Sequence, residues 1–437
     1  MKKLKLLFCI LLSLTMLFSV TACDGENESS LVSEITSTDE SEEGKADDSV
    51  ESDTLHLSVE FADPDSNRIA CKITAWTENK KEAGTYALSF ANEDGAIKTI
   101  DSIATMTLKA GEENKVSIEP FNDLCIAPAG ATRIALCRIG KVYSSVKLPQ
   151  SKLRTGSSKG RFAILSDVHM INDKDTTGHN GYFDLKKAFE CIKKAGGVEY
   201  VCVTGDIGFD STEEEIALFA RQRDNYCSVP VYAVRGNHDK KMDSAMWEKY
   251  MGNKPNFSKE INGVGYVFLS LDDTVNNNVE TDKEHATAMD WVEKEVAKYG
   301  KKGMPVFLYM HYPIPGEAGL IPGSYYGFSE SCTEDDRIVA LMKKYDNMVV
   351  FSGHTHFDFE SQKTYKDIMV KKLAGSNSYT VHIPSNAYTR DYKNATDTSG
   401  GQFYIAEYAN KKLILTGINT MNGRTSALGC YEIDLGA

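Results

Sequence analysis

Five short stretches carry the side chains of this sequence that can do chemistry: Asp167-x-His169, Gly205-Asp206, Gly236-Asn237-His238-Asp239, His311 and Gly353-His354-Thr355-His356. Five of the nine histidines fall in them, while His56, His179, His285 and His382 are scattered. Carboxylates mixed with imidazoles and an amide oxygen suit manganese, iron or zinc, rather than the all-oxygen shell of calcium or the thiolates of a structural zinc site. Six or seven such ligands are too many for one ion. Two ions sharing one carboxylate are the economical arrangement, with a separation of about 3.5–4 Å in sites of that kind. Each stretch alone is weak, because a lone Gly-Asp arises by chance and a histidine after an apolar strand is more often a satisfied structural residue.

The setting of the stretches gives them weight. Tyr200-Val201-Cys202-Val203 is an apolar, partly β-branched run that stops at Thr204-Gly205-Asp206, the pattern of a buried parallel strand delivering an acid to the sheet's C-terminal edge. The runs Phe162–Leu165, Val231–Val234, Val306–Met310 and Met348–Phe351 end in the same way on Asp167, Asn237, His311 and His354. Leu185, Ala188, Phe189 and Ile192, and again Ile338, Leu341, Met342 and Tyr345, recur at i, i+3, i+4, i+7, which predicts amphipathic helices laid on that sheet. A helix around 286–298 is less clean, with Trp291 and Val292 as its expected anchors, and Thr333 to Asp336 reads as a capping start for the helix carrying Ile338. Further strands are expected at Tyr266–Leu271, and from Ile368 onward at Ile368–Leu373, Tyr379–Ile383, Phe403–Tyr408, Leu413–Ile418 and Tyr431–Leu435, where they close the unit with a second sheet.

In their order and position at strand ends, the five stretches resemble the calcineurin-like metallophosphoesterase superfamily. The resemblance covers roughly residues 160 to 360 in its motifs and implies a four-layer α/β/β/α sandwich over 160–437. It further implies two divalent or trivalent transition-metal ions (Mn, Fe or Zn). Asp167, His169 and His356 would hold the first, Asp206 would bridge, and Asn237, His311 and His354 would complete the second. It places His238 at the scissile phosphate rather than on a metal. In that scheme two ions provide hydroxide near neutral pH for in-line attack on phosphorus, and protonated His238 serves the leaving oxygen. Ile207-Gly208-Phe209 stands where purple acid phosphatases place a ligating tyrosine, so a tyrosinate-coloured iron site is not expected. Whether Asp210, Asp239 or neither orients His238 is open at this level.

Residues 55–150 differ in character. Leu55, Leu57, Val59 and Phe61, then Cys71, Ile73 and Ala75, then Tyr86, Leu88 and Phe90 alternate with polar neighbours, with further short runs near 106–108, 116–118, 133–139 and 142–146. Some seven short strands fit an all-β sandwich of immunoglobulin or fibronectin type, with no catalytic constellation and a spacer role as the default. Ser151 to Gly160 is a polar linker into the α/β unit.

Residues 1–23 read as a lipoprotein signal: Lys2, Lys3 and Lys5 precede an apolar run from Leu6 to Val20, and Val20-Thr21-Ala22-Cys23 resembles a lipobox with Cys23 as the lipidated residue. A plain signal peptide or an uncleaved anchor are the alternatives. Over 24–54, twelve acids stand against the single base Lys45, a net of −11, so most of the chain's −13 lies in a tether expected to be disordered. These features place the protein on the outer face of the cytoplasmic membrane or in the cell envelope, held by lipid. The eight cysteines beyond Cys23 show no zinc-knuckle spacing or dense disulfide framework, and Cys202 reads as a small buried hydrophobe.

The function these readings favour is metal-dependent hydrolysis of a small-molecule phosphate ester, a diester in preference to a monoester because the sequence shows no obvious Arg or Lys cluster near the motifs to grip a dianion, apart from Arg235. The overall acidity speaks against a long nucleic-acid groove. A phosphomonoesterase or nucleotidase is one alternative, and a surface binding protein that uses the fold as a scaffold is another. The loop from Pro313 to Phe328, rich in Gly, Pro and aromatics, reads either as surface packing or as a lid whose Tyr325 or Tyr326 stacks on substrate; His179 is a loop histidine that could reach the phosphate.

Overall fold

The computed structural model describes residues 54–62, 65, 68–99, 102–118, 126–153, 160–174, 180–270, 279–322, 335–390 and 397–436. Cys23, the tether to residue 53, His179, Tyr325, Tyr326 and Thr333 lie outside them. The strands of the first region are β1 (Leu55–Phe61), β2 (Cys71–Thr77), β3 (Gly84–Ala91), β4 (Ala104–Leu108), β5 (Asn114–Ile118), β6 (Arg133–Arg138) and β7 (Lys141–Lys147). They form two antiparallel sheets, β1-β2-β5 and β4-β3-β6-β7. Alternation works here as the pattern requires. Leu55, Ile73 and Ala75 of one sheet meet Tyr86, Leu88, Phe90, Ile134 and Leu136 of the other in a shared core.

From residue 160 the chain builds two six-stranded sheets. β8 (Arg161–Leu165), β9 (Tyr200–Val203) and β10 (Val231–Ala233) run parallel. The second sheet takes β11 (Phe257–Ile261), β12 (Val264–Phe268), β13 (Val306–Tyr309), β14 (Met348–Ser352), β15 (Val370–Lys372) and β16 (Tyr379–His382) in the order β11-β12-β13-β14-β16-β15. A small ribbon, β17 (Tyr388–Arg390) with β18 (Asp397–Ser399), follows. Then β19 (Gln402–Ala409), β20 (Lys412–Asn419) and β21 (Thr425–Asp434) return beside β8, so the first sheet reads β10-β9-β8-β19-β20-β21. The late strands therefore do not close a sheet of their own: β15 and β16 extend the second sheet, and β19 to β21 complete the first, with β19 antiparallel to β8. Periodicity identifies a strand but not its neighbour, which is a matter of long-range pairing.

Both faces of each sheet are covered, which explains the unbroken apolar runs. Phe162, Ile164, Tyr200 and Cys202 point between the sheets against Tyr266, Phe307, Tyr309, Val349 and Phe351. Ala163, Leu165, Val201 and Val203 point the other way, onto α1 (Tyr182–Lys194), α2 (Glu213–Tyr226) and α3 (Ser244–Met251). Val306, Leu308, Met348 and Val350 face α4 (Val279–Gly300) and α5 (Asp335–Tyr345). The layers are thus α/β/β/α. Leu185, Ala188, Phe189 and Ile192 of α1 and Ile338, Leu341 and Met342 of α5 are buried on their expected stripes. In α4 the buried stripe is Met289, Val292, Val296 and Tyr299, and Trp291 is only partly buried beside it. α2 carries no clean stripe in sequence, but Thr212 and Glu215 close a capping box at its start.

The β region docks on the outer edge of the first sheet. Thr99 bridges to Thr425, the amide of Ile126 donates to the carbonyl of Cys430 at 3.2 Å, and Ala427 of β21 is buried in the β-region core. That contact covers an edge strand that would otherwise be open to pairing. Among the described residues Cys71, Cys137, Cys191, Cys202 and Cys227 are free thiols, and Cys202 is fully buried.

Candidate metal centre

The strand ends of both sheets converge. β8 delivers Asp167 and His169, β9 delivers Asp206, and β10 leads to Asn237 and His238, while β13 and β14 of the facing sheet deliver His311, His354 and His356. Asp167, His169, Asp206, His311, His354 and His356 are all buried. Two groups of donor atoms form. In the first, His356 Nε2 lies 3.0 Å from Asp167 Oδ1 and 3.1 Å from His169 Nε2, and His169 Nε2 lies 3.8 Å from Asp206 Oδ2. In the second, His311 Nε2 lies 3.2 Å from the same Asp206 Oδ2 and 3.2 Å from His354 Nδ1, and Asn237 Oδ1 is 2.9 Å from both imidazoles.

Ring nitrogens that face one another at such distances, with carboxylate oxygens on the same point, make a donor set for divalent cations. Asp206 stands in both groups.

The backbone bends hard to achieve this. Asp167, His169, Asp206, His354 and His356 have φ of 50°, 49°, 55°, 72° and 59°, a region that non-glycine residues seldom enter. Strain of that kind costs about 1–3 kcal/mol per residue and persists only where the surroundings enforce it. The enforcement is visible. The amides of Val168 and His169 both donate to the carbonyl of Asp206, and the amide of His354 donates to the carboxylate of Asp167 at 3.0 Å. Ser166 Oγ donates to the same carboxylate oxygen, Asp167 Oδ2. A Cβ at Gly353 would lie 1.8 Å from Ser166 Oγ, and one at Gly236 2.1 Å from Asp206 Oδ1, so the motif glycines let backbone pass where a side chain cannot.

Charge follows geometry. Burial would raise the Asp167 and Asp206 carboxyls, but the neighbouring imidazoles, His356 for the one and His311 for the other, hold both below the ordinary carboxylate range. Burial would lower His311, yet Asp206 beside it raises the imidazole to about 9. His169 is pushed down to about 3 by burial and by repulsion from His356.

His238 sits at the rim, half-buried, its ring 4.8 Å from that of His169. Its Nδ1–H donates to the carbonyl of Phe209 at 2.5 Å, which fixes the tautomer and leaves Nε2 for a substrate. Of the three possibilities left open in sequence, neither acid orients it. Asp210 is exposed, and Asp239 instead accepts from the amides of Ile207, Gly208 and Gly236 at 2.9–3.0 Å, lacing the Asp206 loop to the Asn237 turn. Burial and the nearby Asp206 raise the Asp239 carboxyl to about 7. Arg235 is buried, and its Nη1 donates to the carbonyl of Met242 at 2.8 Å.

Sequence reasoning passed over four neighbours of the centre: Tyr312, Tyr388, His382 and Ser385. Tyr312 lies 4.8 Å ring to ring from His354, and Tyr388 lies 4.6 Å from His356. His382, taken as scattered, is fully buried at the end of β16 and pushed to about 3 by burial. Ser385 Oγ donates to the carbonyl of Asp167 at 3.0 Å. The one available signal was that Tyr379–His382 ends, like the ligand-bearing strands, in a small polar cluster.

Fold and site together define a metallophosphoesterase, an enzyme that hydrolyses phosphoric esters. Residues 160–358 match the family model for calcineurin-like phosphoesterase, and the segment is a domain of that superfamily. The chain is 27% identical over 207 residues to a "Probable cyclic nucleotide phosphodiesterase" of Colwellia psychrerythraea, covering 45% of this chain and 71% of that protein. It is 26% identical over 210 residues to a protein of the same description from Coxiella burnetii, covering 46% and 77%. Among solved structures it aligns with purple acid phosphatase PPD1 from yellow lupin (Lupinus luteus) seeds at TM-score 0.45 and 12% identity, over 87% of this chain and 74% of the other.

Proposed function

We propose that the protein is a dinuclear phosphodiesterase acting on a small-molecule phosphate diester, with cyclic nucleotides as the first class to test. The observation that carries this is the shared oxygen: Asp206 Oδ2 is the only carboxylate atom common to the Asp167/His169/His356 group and the His311/His354 group among the described residues. Asp167, His169 and His356 would hold one ion, Asn237, His311 and His354 the other, and Asp206 would bridge. Two divalent ions so held supply the Lewis acidity that makes water a nucleophile near neutral pH and neutralises a bound phosphate.

The chain's own groups do the rest. The carboxyls of Asp167 and Asp206 stay ionised and His169 stays neutral, which is the protonation a ligand set requires. Water gives up one proton to solvent as its oxygen bonds to phosphorus, the bond to the leaving oxygen breaks, and His238 Nε2 gives a proton to that oxygen. The Nδ1 bond to Phe209 keeps the ring aimed during the transfer. A diester monoanion is favoured over a monoester dianion because Arg235, the cation the sequence sets beside the motifs, is buried with its Nη1 on the carbonyl of Met242. The names of the two relatives point to the same class.

Export and a lipid anchor at Cys23, with residues 24–54 as an acidic spacer, complete the proposal. Among the described residues no helix is long and apolar enough to cross a membrane. Hydrolysis of bis-p-nitrophenyl phosphate and 3′,5′-cyclic AMP should exceed that of p-nitrophenyl phosphate and AMP in manganese. Faster monoester hydrolysis would move the reading to a nucleotidase, and absence of bound metal would move it to a binding protein. Cys23→Ser should release the protein from the membrane fraction.

A further inference from the structure

The two halves of the centre are held in different ways. In the Asn237/His311/His354 half, one of the two imidazoles, His311, donates from Nδ1 to the carbonyl of Thr204 at 2.8 Å, the usual device that fixes a ligating ring through its second nitrogen, and the ring of Tyr312 lies 4.8 Å from that of His354. In the Asp167/His169/His356 half that device is missing. His169 Nδ1 and His356 Nδ1 are buried and have no hydrogen-bond partner among the described residues. What touches both rings instead is Tyr388: its ring centre lies 5.4 Å from that of His169 at 31° and 4.6 Å from that of His356 at 68°. Tyr388 is itself only 5% exposed.

The segment that carries Tyr388 is tied to both ligand loops. Asn386 N donates to Ser166 O at 2.8 Å, Ser385 Oγ donates to Asp167 O at 3.0 Å, and the amide of Tyr388 donates to Ser385 Oγ at 3.2 Å. At the other end Arg390 N donates to His356 O at 2.8 Å. A ring anchored at both ends across two loops can set the angle of two imidazoles whose Nδ1 atoms no hydrogen bond holds among the described residues. This segment also lies beyond the matched residues 160–358.

We propose that Tyr388 is a positioning residue that orients His169 and His356 by ring packing, so that one half of the metal centre depends on residues 385–390 and the other does not. The inference rests on the two-ion reading above. It is the ring face that acts, not the phenol hydroxyl.

The test uses the full chain, stripped with chelator and reloaded with manganese. Bound metal is measured by mass spectrometry, affinity by calorimetry, and ion pairing by electron paramagnetic resonance. Wild type and Tyr388→Phe should bind two ions per chain with the spectrum of a coupled pair. Tyr388→Leu and Tyr388→Met should keep one tight ion, bind the second about 10–100-fold more weakly, and show uncoupled manganese. Circular dichroism and melting identify which of the non-aromatic variants is folded, and that one is read. Two ions at wild-type affinity in a folded non-aromatic variant, equal weakening of both ions, or loss of the second ion in Tyr388→Phe would each overturn the inference. A wild-type protein that binds no manganese fails the two-ion reading itself, and the inference falls with it.

Discussion

The β region and the α/β region treat the backbone differently. Among the described residues from 54 to 153 the one non-glycine residue at positive φ is Ile139, at 51° in the turn between β6 and β7, and it is 92% exposed. In the α/β region five buried residues of the candidate metal centre sit at positive φ, each followed or faced by a laced loop. A turn tolerates such a conformation because water and neighbours can relax around it, whereas a buried run of them must be enforced by hydrogen bonds. The difference teaches where chemistry lies. One region uses its residues to fill a core, and the other gives up stability to aim side chains.

That contrast can be broken most severely at Asp206. Asp206→Ala removes the oxygen common to both donor groups and should abolish bound metal and turnover together, measured by metal analysis and diester hydrolysis. His238→Ala should leave both ions in place and lower kcat by about 10²–10⁴-fold, the usual worth of a positioned acid. Equal metal loss in the two variants would remove His238 from the role of proton donor.

In the β region the expectation reverses. Ile73 is fully buried in the core between the two small sheets, so Ile73→Ala should cost about 2–5 kcal/mol in denaturant unfolding of that region. Its kcat, taken where the protein remains folded, should match wild type. A lower kcat would mean that the docking of β21 transmits to the centre.

The smallest effect is in pH. His311 is raised to about 9 in the folded protein against an ordinary value near 6.5, so its protonated form stabilises the metal-free fold below about 6.5, and that contribution is lost as pH rises through 9. Asp239, raised to about 7, acts in the same direction and is half titrated at pH 7, so it adds to the fall over the lower part of that range. The melting temperature of metal-stripped protein should therefore fall from pH 7 to 9, and manganese affinity should rise over the same range as the ion displaces that proton. A flat melting profile would show that Asp206 does not hold His311 charged.

Much was legible in the chain itself. Apolar runs that alternate between two cores, as in Phe162 to Leu165, gave the strands, and the polar residue after each run marked the C-terminal edge as the place where candidate ligands gather. Residue types alone restricted the metal to nitrogen and oxygen coordination. Three things required the folded molecule. The pairing of β19 with β8 joins residues some 240 apart in sequence, and no local pattern encodes a partner at that range. The orienter of His238 is the backbone carbonyl of Phe209, a group every residue possesses and so one that no side-chain pattern can single out. The third is the ring of Tyr388 on His169 and His356: Tyr388 is an unremarkable aromatic in sequence, and only the crossing of residues 385–390 over two loops puts it there. Sequence settles which atoms can coordinate, because that is a property of residue type. Tertiary structure settles what holds them at the right angle, because that is a property of neighbours.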